Sequence, residues 1–340
     1  MSAEPIYVRA AGMACPVGLR WASACAALRA GINRKQISPY FDNQGREIVI
    51  SHMRDTLKPR SAPEERWLFF LTHALQEILE QTGTKVFEQL PLLIALPAAP
   101  AMEHYSAEFL VQELAPRLKV VLNPDKVRIF TEGSYGGYSA LAAGRRLLRQ
   151  HEAPACVVAG AESMMCARTL LRLSERHRLL VEGNSDGVIP GEAAACVLLS
   201  LQGKGLAAIR GMGFSREPAS LENDLPLRAD GITASARAAL DEAKLALHDV
   251  AFRFSDAAGE SFYFKEQALL VSRLLRERKS EFPLWLCAES LGDTGAAAGL
   301  CGMLWAIAAW TRRYAPGHRA IGFAGNEYGG RAAVILESVG

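Results

Sequence analysis

Apolar, strand-like runs alternate with helical patterns through residues 6–200, and the same order restarts at residue 205. The restart opens on a similar segment, "GLAAIRGMGFS" (205–215) echoing "IYVRAAGMACP" (6–16). Short apolar runs flanked by helical text need cover on both faces, which calls for a sheet between helix layers. The repeated order predicts an internal duplication, with halves at residues 1–200 and 201–340. No low-complexity linker separates them, so the 340 residues are expected to form one compact body.

The first half predicts strands at "IYVRAAGM", "LPLLIALPA", "KVRIF", "ACVVAGAE" and "AACVLLSL", with helices at 21–30, 62–82, 104–117 and 136–150. The second predicts strands at 205–215, "VAFRFSDAAG", "LWLCAES", "AIGFAG" and "RAAVILES", with helices at 233–246, 263–277 and 295–311. The uncharged stretch at 296–310 is shorter than the ~20 residues that span a bilayer and reads as a buried core helix.

A net charge of +2 offers no field to recruit nucleic acid. Basic runs at 172–178 and 273–279 are interleaved with Leu and read as solvated helix faces. Seven cysteines without a CxxC, mostly in apolar text, point to reduced, buried thiols and a cytoplasmic location. The N-terminal residues lack the pattern of a signal peptide. Neither a metal nor a cofactor is expected: His52, His73, His104, His151, His248 and His318 are scattered, and His177 reads as an exposed helix residue. Glycines 136 and 137 are not followed by the G-K-[ST] of a phosphate loop. "GNSDG" (183–187) matches G-x-S-x-G without the strand that a nucleophile elbow needs.

Four segments occur in the order of a known family. "VVAGAESMM" (157–165) is followed by "NSDGVIPGEAAACVLLS" (184–200), whose Asp186, Gly187, Gly191 and Glu192 fit D-G-F-x-x-G-E-G-A. "GDTGAAAG" (292–299) resembles G-H-x-x-G-A-A-G, and "NEYGGRAAVIL" (326–336) resembles a F-G-F-G-G-T-N-A turn. Together they resemble the β-ketoacyl synthases of the thiolase superfamily across nearly the whole chain. The resemblance implies a duplicated α-β-α-β-α five-layered fold with two central mixed sheets. It also implies a homodimer or heterodimer through strand 126–130.

The resemblance places the family's cysteine nucleophile at Ser134. Its two histidines fall at Ala258 and Asp293, its lysine near Ala288 or Glu289, and its gatekeeper aromatic at Tyr328. Glu132, Gly329, Gly330 and Tyr328 are further cleft candidates. A condensing enzyme needs a thiolate at a helix N-terminus, oxyanion donors and imidazoles for decarboxylation. No His lies between His248 and His318, so a shift in register supplies none. Ser134 is then either a small residue capping the helix that starts near Tyr135, or a serine nucleophile with Glu132 or Asp293 orienting a partner. Asp293 reads as a helix cap. Glu260 and Glu266 flank "SFYF", an altered pocket or an interaction surface.

The function expected is a non-condensing partner or scaffold subunit. Its expected partners are an acyl-carrier protein, a synthase or a secreted (type VI) effector, for which it would serve as adaptor. The alternatives are an acyltransferase or thioesterase using Ser134, and a chain-length-factor-like subunit.

Overall fold

The structure, a computed structural model, describes residues 4–54, 56–58, 61–98, 105–203 and 205–339. His104 lies outside the described residues. The strands are β1 (Ile6–Ala14), β2 (Lys35–Phe41), β3 (Glu47–Ser51), β4 (Leu92–Ala95), β5 (Val127–Phe130), β6 (Ala155–Ser163), β7 (Glu192–Ser200), β8 (Ala207–Arg216), β9 (Phe252–Ser255), β10 (Leu284–Leu286), β11 (Arg319–Gly325) and β12 (Gly330–Ser338). The helices are α1 (Trp21–Arg29), α2 (Pro63–Thr82), α3 (Val86–Gln89), α4 (Ala107–Leu118), α5 (Gly136–Arg149), α6 (Ala167–Glu175), α7 (Asp230–Ala243), α8 (Ser261–Leu274), α9 (Ala288–Leu291) and α10 (Ala298–Thr311).

Each half orders its five strands alike. The first runs β5-β4-β6-β7-β1 and the second β10-β9-β11-β12-β8. In both, three parallel strands meet an antiparallel pair. The two mixed sheets join at their edges, where Ile6, Tyr7 and Val8 of β1 face Ile209, Ala208 and Ala207 of β8. Hydrogen bonding is therefore continuous across ten strands.

Strand alternation sorts the core into layers. Val157, Ala159 and Ala161 of β6 face the outer helices α2 and α4, as do Ala194, Cys196 and Leu198 of β7. Their alternates Cys156, Val158, Ala195 and Val197 face α1, α5 and α10 in the middle. In the second half, Ile321, Phe323, Ala333 and Ile335 face α7 and α8. The five expected layers follow. Burial on both faces explains why β6 and β7 read as apolar without alternation.

Glycines let the middle layer approach the sheets closely. A Cβ on Gly160 would stand 2.4 Å from the Ala296 carbonyl oxygen, and one on Gly302 2.6 Å from the Phe254 ring. The same economy holds where α7 crosses β8, since a Cβ on Gly213 would sit 1.9 Å from the Ser235 carbonyl oxygen. Gly213→Ala is expected to cost about 1–3 kcal/mol through overpacking, read as a lowered midpoint in a urea melt.

The β2–β3 hairpin was not anticipated in the sequence. Its turn is closed by Asp42, whose Oδ1 accepts from the backbone N–H groups of Gln44 (2.9 Å) and Arg46 (2.8 Å). That Asx chemistry, in "DNQGRE" before "EIVIS", was the available signal. Ile48 and Ile50 of β3 pack on Leu170 and Leu173 of α6, which fixes the helix that walls the site.

Candidate functional site

The edge strand β5 ends at Phe130, and the chain turns through Gly133–Tyr135 into α5. Gly133, at φ +61°, takes the left-handed corner. Ser134 follows it and faces a cavity of about 150 Å³ between the two halves. The expected capping role is not found: Ser134 Oγ makes no hydrogen bond among the described residues. The reason is local. The 3₁₀ turn runs straight into α5, so position 134 lies inside the helical path rather than ahead of it.

The cavity also gathers Glu132, Ala258, Asp293 and Tyr328, from segments far apart in sequence. Gly329 and Gly330, expected in the cleft, do not line it. They shape the turn before β12. Gly329 adopts φ +91°, and Asn326 Oδ1 accepts from the N–H groups of Tyr328 (3.1 Å) and Gly330 (2.8 Å). A Cβ on Gly329 would stand 2.5 Å from the Glu217 carbonyl oxygen. This turn holds Glu327 and Tyr328 on the cavity wall, and Asn326 Nδ2 donates to the Glu132 carbonyl (3.3 Å).

Asp293 caps the turn before α10, as its position after Gly292 predicted. Its Oδ1 accepts from Gly295 N–H at 2.9 Å. Glu162, at the end of β6, meets the next amide: Ala296 N–H donates to Glu162 Oε2 at 3.4 Å. Consecutive amides thus set two carboxyl groups side by side. Gly295 must lack a side chain there, since its Cβ would fall 2.3 Å from Glu162 Oε2. Burial, with the Asp293 charge beside it, pushes the Glu162 carboxyl up to about 8. Burial raises Asp293 to about 6 against the pull of the Gly295 amide and Arg178. Asp256, which accepts from Gly325 N–H (2.8 Å), is likewise raised by burial to about 6.

Arginines close the opposite wall. Arg178 donates through Nε and Nη2 to Glu260 (2.6 and 2.8 Å) and through Nη1 to Glu327 (2.7 Å). Arg172 of α6 reaches the other oxygen of Glu327 at 2.8 Å. This corrects the reading of residues 172–178 as a solvated face. Arg176 and His177 are exposed, whereas Arg172 and Arg178 turn inward; Arg176 pairs with Glu222 and, at 3.4 Å, with Glu327, so all three arginines form ion pairs that join the two halves. Periodicity alone could not show this, because the acidic partners of Arg172 and Arg178 lie 82 to 155 residues away.

Two motif residues support the site from behind. Asp186 accepts from the N–H (2.6 Å) and Oγ (2.9 Å) of Ser261, where α8 begins. Glu192 is fully buried against Arg66 of α2. Glu266, beyond the cavity wall, is pushed by burial up to about 7 although Arg331 Nε donates to both of its oxygens (2.9 and 3.0 Å). Gly183 and Ser185 of the "GNSDG" match lie in a loop, where Asn184 Nδ2 donates to the carbonyls of His177 and Leu179 (both 2.8 Å).

Among the described residues, no histidine lines the cavity. No set of His, Cys, Asp or Glu side chains among them is placed to hold a metal ion. The cysteines are free thiols, six buried and Cys166 partly so. No helix among the described residues is long and apolar enough to cross a membrane.

No family model matches the chain, and no curated protein matches its sequence. Solved structures do match its shape. The oxazolomycin ketosynthase domain OzmH KS7 of Streptomyces albus JA3453 is 15% identical, with a TM-score of 0.79 over 99% of this chain and 75% of that one. A type II acyl-carrier protein in complex with its ketosynthase bound to the hexaketide (AntDE:AntF) gives 13% identity and a TM-score of 0.80, covering 99% and 100%. The ketosynthase ApeO in complex with its chain length factor ApeC, from Xenorhabdus doucetiae, gives 15% and 0.77, covering 99% and 98%. Likeness at such low identity speaks to architecture, and by that measure the chain has the ketosynthase form of the thiolase-like fold.

Proposed function

We propose that this protein is a non-condensing subunit of a ketosynthase-type assembly, comparable in role to a chain length factor. One observation carries the reading: Ser134 stands where the resemblance puts the nucleophile, and among the described residues its hydroxyl has no hydrogen-bonded base. A serine hydroxyl is a weak nucleophile without such a base. The groups that line the cavity with it are carboxyls and the arginines Arg168, Arg172 and Arg178, the last two ion-paired, and Ala258 and Asp293 stand at the positions that the resemblance assigns to the family's imidazoles.

The partner reading rests on the edge strand. β5 ends the ladder, with no strand beyond it among the described residues. An unpaired edge of this kind is a template for pairing with a second chain. The ApeO–ApeC pair gives a precedent for a heterodimer.

The test is intact-mass analysis after incubation with acyl- and malonyl-thioesters, coupled to a decarboxylation assay. The expected result is no adduct at Ser134, no carbon dioxide release, and Ser134→Ala within about 0.5 kcal/mol of wild-type stability. An acyl-Ser134 adduct would favour the acyltransferase alternative, and condensation by the chain alone would end the proposal. Affinity capture then separates the roles. Recovery of a condensing synthase or its carrier protein supports the subunit reading, whereas recovery of a type VI effector assigns the adaptor role.

A further inference from the structure

We propose that the cleft between α1 and α10 is a binding site for a medium-chain aliphatic carboxylate, whose head group is received by Arg29 and Arg312. The cleft lies apart from the Ser134 cavity. The turn that opens α10 lines that cavity and the last turn of α10 lines this cleft, and its 14 residues correspond to about 20 Å of helix. The site is independent of the subunit reading.

The first observation is the lining. The cleft holds about 460 Å³, within the ~300–1,000 Å³ of small-ligand sites. Trp21, Cys25 and Ala26 of α1 and Ala308 of α10 give it apolar walls. Thr311 keeps its hydroxyl on the Ile307 carbonyl (2.9 Å). Among the described residues no Asp or Glu lines the cleft. Glu77, beside the start of α1, is already engaged by the amides of Met13 (3.0 Å) and Trp21 (2.7 Å) and by Arg20.

The second is a pair of cations without a counter-charge. Neither Arg29 nor Arg312 forms an ion pair or a side-chain hydrogen bond among the described residues. Arg29 is nonetheless held in place, because its guanidinium carbon stands 4.1 Å over the Tyr314 ring. Stacking on the ring face leaves the N–H edge of the guanidinium free for a carboxylate. The C-terminal ends of α1 and α10 oppose an anion here, each with about half a negative charge. Two full positive charges outweigh them. The charge balance thus selects an anion, and the apolar walls favour one that carries an alkyl chain over a bare ion.

Equilibrium dialysis of the full chain against octanoate, 1-octanol, octylamine and acetate, each below its micelle concentration, tests the site. Octanoate is expected to bind at least about tenfold more tightly than each of the others. From hexanoate to octanoate to decanoate the affinity should rise at least about threefold per step, and added salt should weaken it. Arg29, Arg312 and Ala26 are exposed, so their variants are expected to fold, which thermal melts confirm. Arg29→Gln/Arg312→Gln should weaken octanoate binding about tenfold or more. Ala26→Trp, which fills the cleft and leaves both arginines in place, should abolish it. Wild-type affinity in either variant would place the ligand elsewhere and overturn the proposal. Equal affinity for acetate, 1-octanol or octylamine, or no octanoate binding at millimolar concentration, also overturns it. None of these results bears on the acylation and decarboxylation tests of Ser134.

Discussion

Arg66→Met is expected to lower folding stability by about 3–5 kcal/mol, measured as the shift of a urea transition at pH 7. Both side chains of the Arg66–Glu192 pair are fully buried. Arg66 Nε donates to Glu192 Oε2 at 2.8 Å and Nη2 to Oε1 at 2.6 Å. Glu192 also accepts from Met53 N–H (2.8 Å) and Ser163 Oγ (2.9 Å). Removing the guanidinium leaves a carboxylate without its counter-charge in the core between α2 and β7. The double variant Arg66→Met/Glu192→Gln removes both charges, and is expected to recover much of the loss because desolvation of the ions offsets most of their attraction. Equal stability of Arg66→Met and wild type would show that the pair contributes nothing.

The second large effect is a decline of stability with pH. Glu162 titrates at about 8 in the folded chain against an ordinary 4.5. Below pH 4.5 it is protonated in both states, so its contribution is fully present. As pH rises towards 8 the unfolded chain loses the proton and the folded chain keeps it, which favours unfolding. That interval corresponds to at most about 5 kcal/mol at 1.36 kcal/mol per pH unit. Asp256 and Asp293, raised by burial from 3.8 to about 6, act in the same direction at lower pH. Chemical denaturation at pH 5, 6, 7 and 8 should show a falling midpoint, and Glu162→Gln should flatten the upper part of the fall. A midpoint that rises through this range would mean that Glu162 is ionised in the folded chain.

Most of the architecture was legible in the sequence because it depends on local patterning. The apolar runs at 155–162 and 194–201 became β6 and β7, and the uncharged stretch at 296–310 became the central helix α10. Boundaries moved by a few residues where caps were not visible: α7 begins at Asp230 and α8 at Ser261, ahead of the predicted 233 and 263. The hairpin β2–β3 was missed because β2 is half-exposed and interrupted by Pro39, and β3, although apolar and largely buried, is only five residues long. At the site, Ser134, Asp293, Ala258, Glu132 and Tyr328 were named from motif order. Glu162, Asp256, Arg172 and Arg178 were not assigned there, although Glu162 stood inside a quoted motif, and Glu260 was read only as flanking an altered pocket or an interaction surface.

The sequence by itself determined the alternation of strands and helices, its repetition, and the missing sulfur and imidazoles at the positions that the resemblance marks. These are properties of residue type and short-range order. Only the tertiary structure decided that Glu162 and Asp293 meet, 131 residues apart, at consecutive amides of one helix start. It also decided that Arg172 and Arg178 face inward. Charge in a chain is a list of residues, whereas the state of each charge depends on distance and burial, and those exist only once the two sheets have closed on the helices between them.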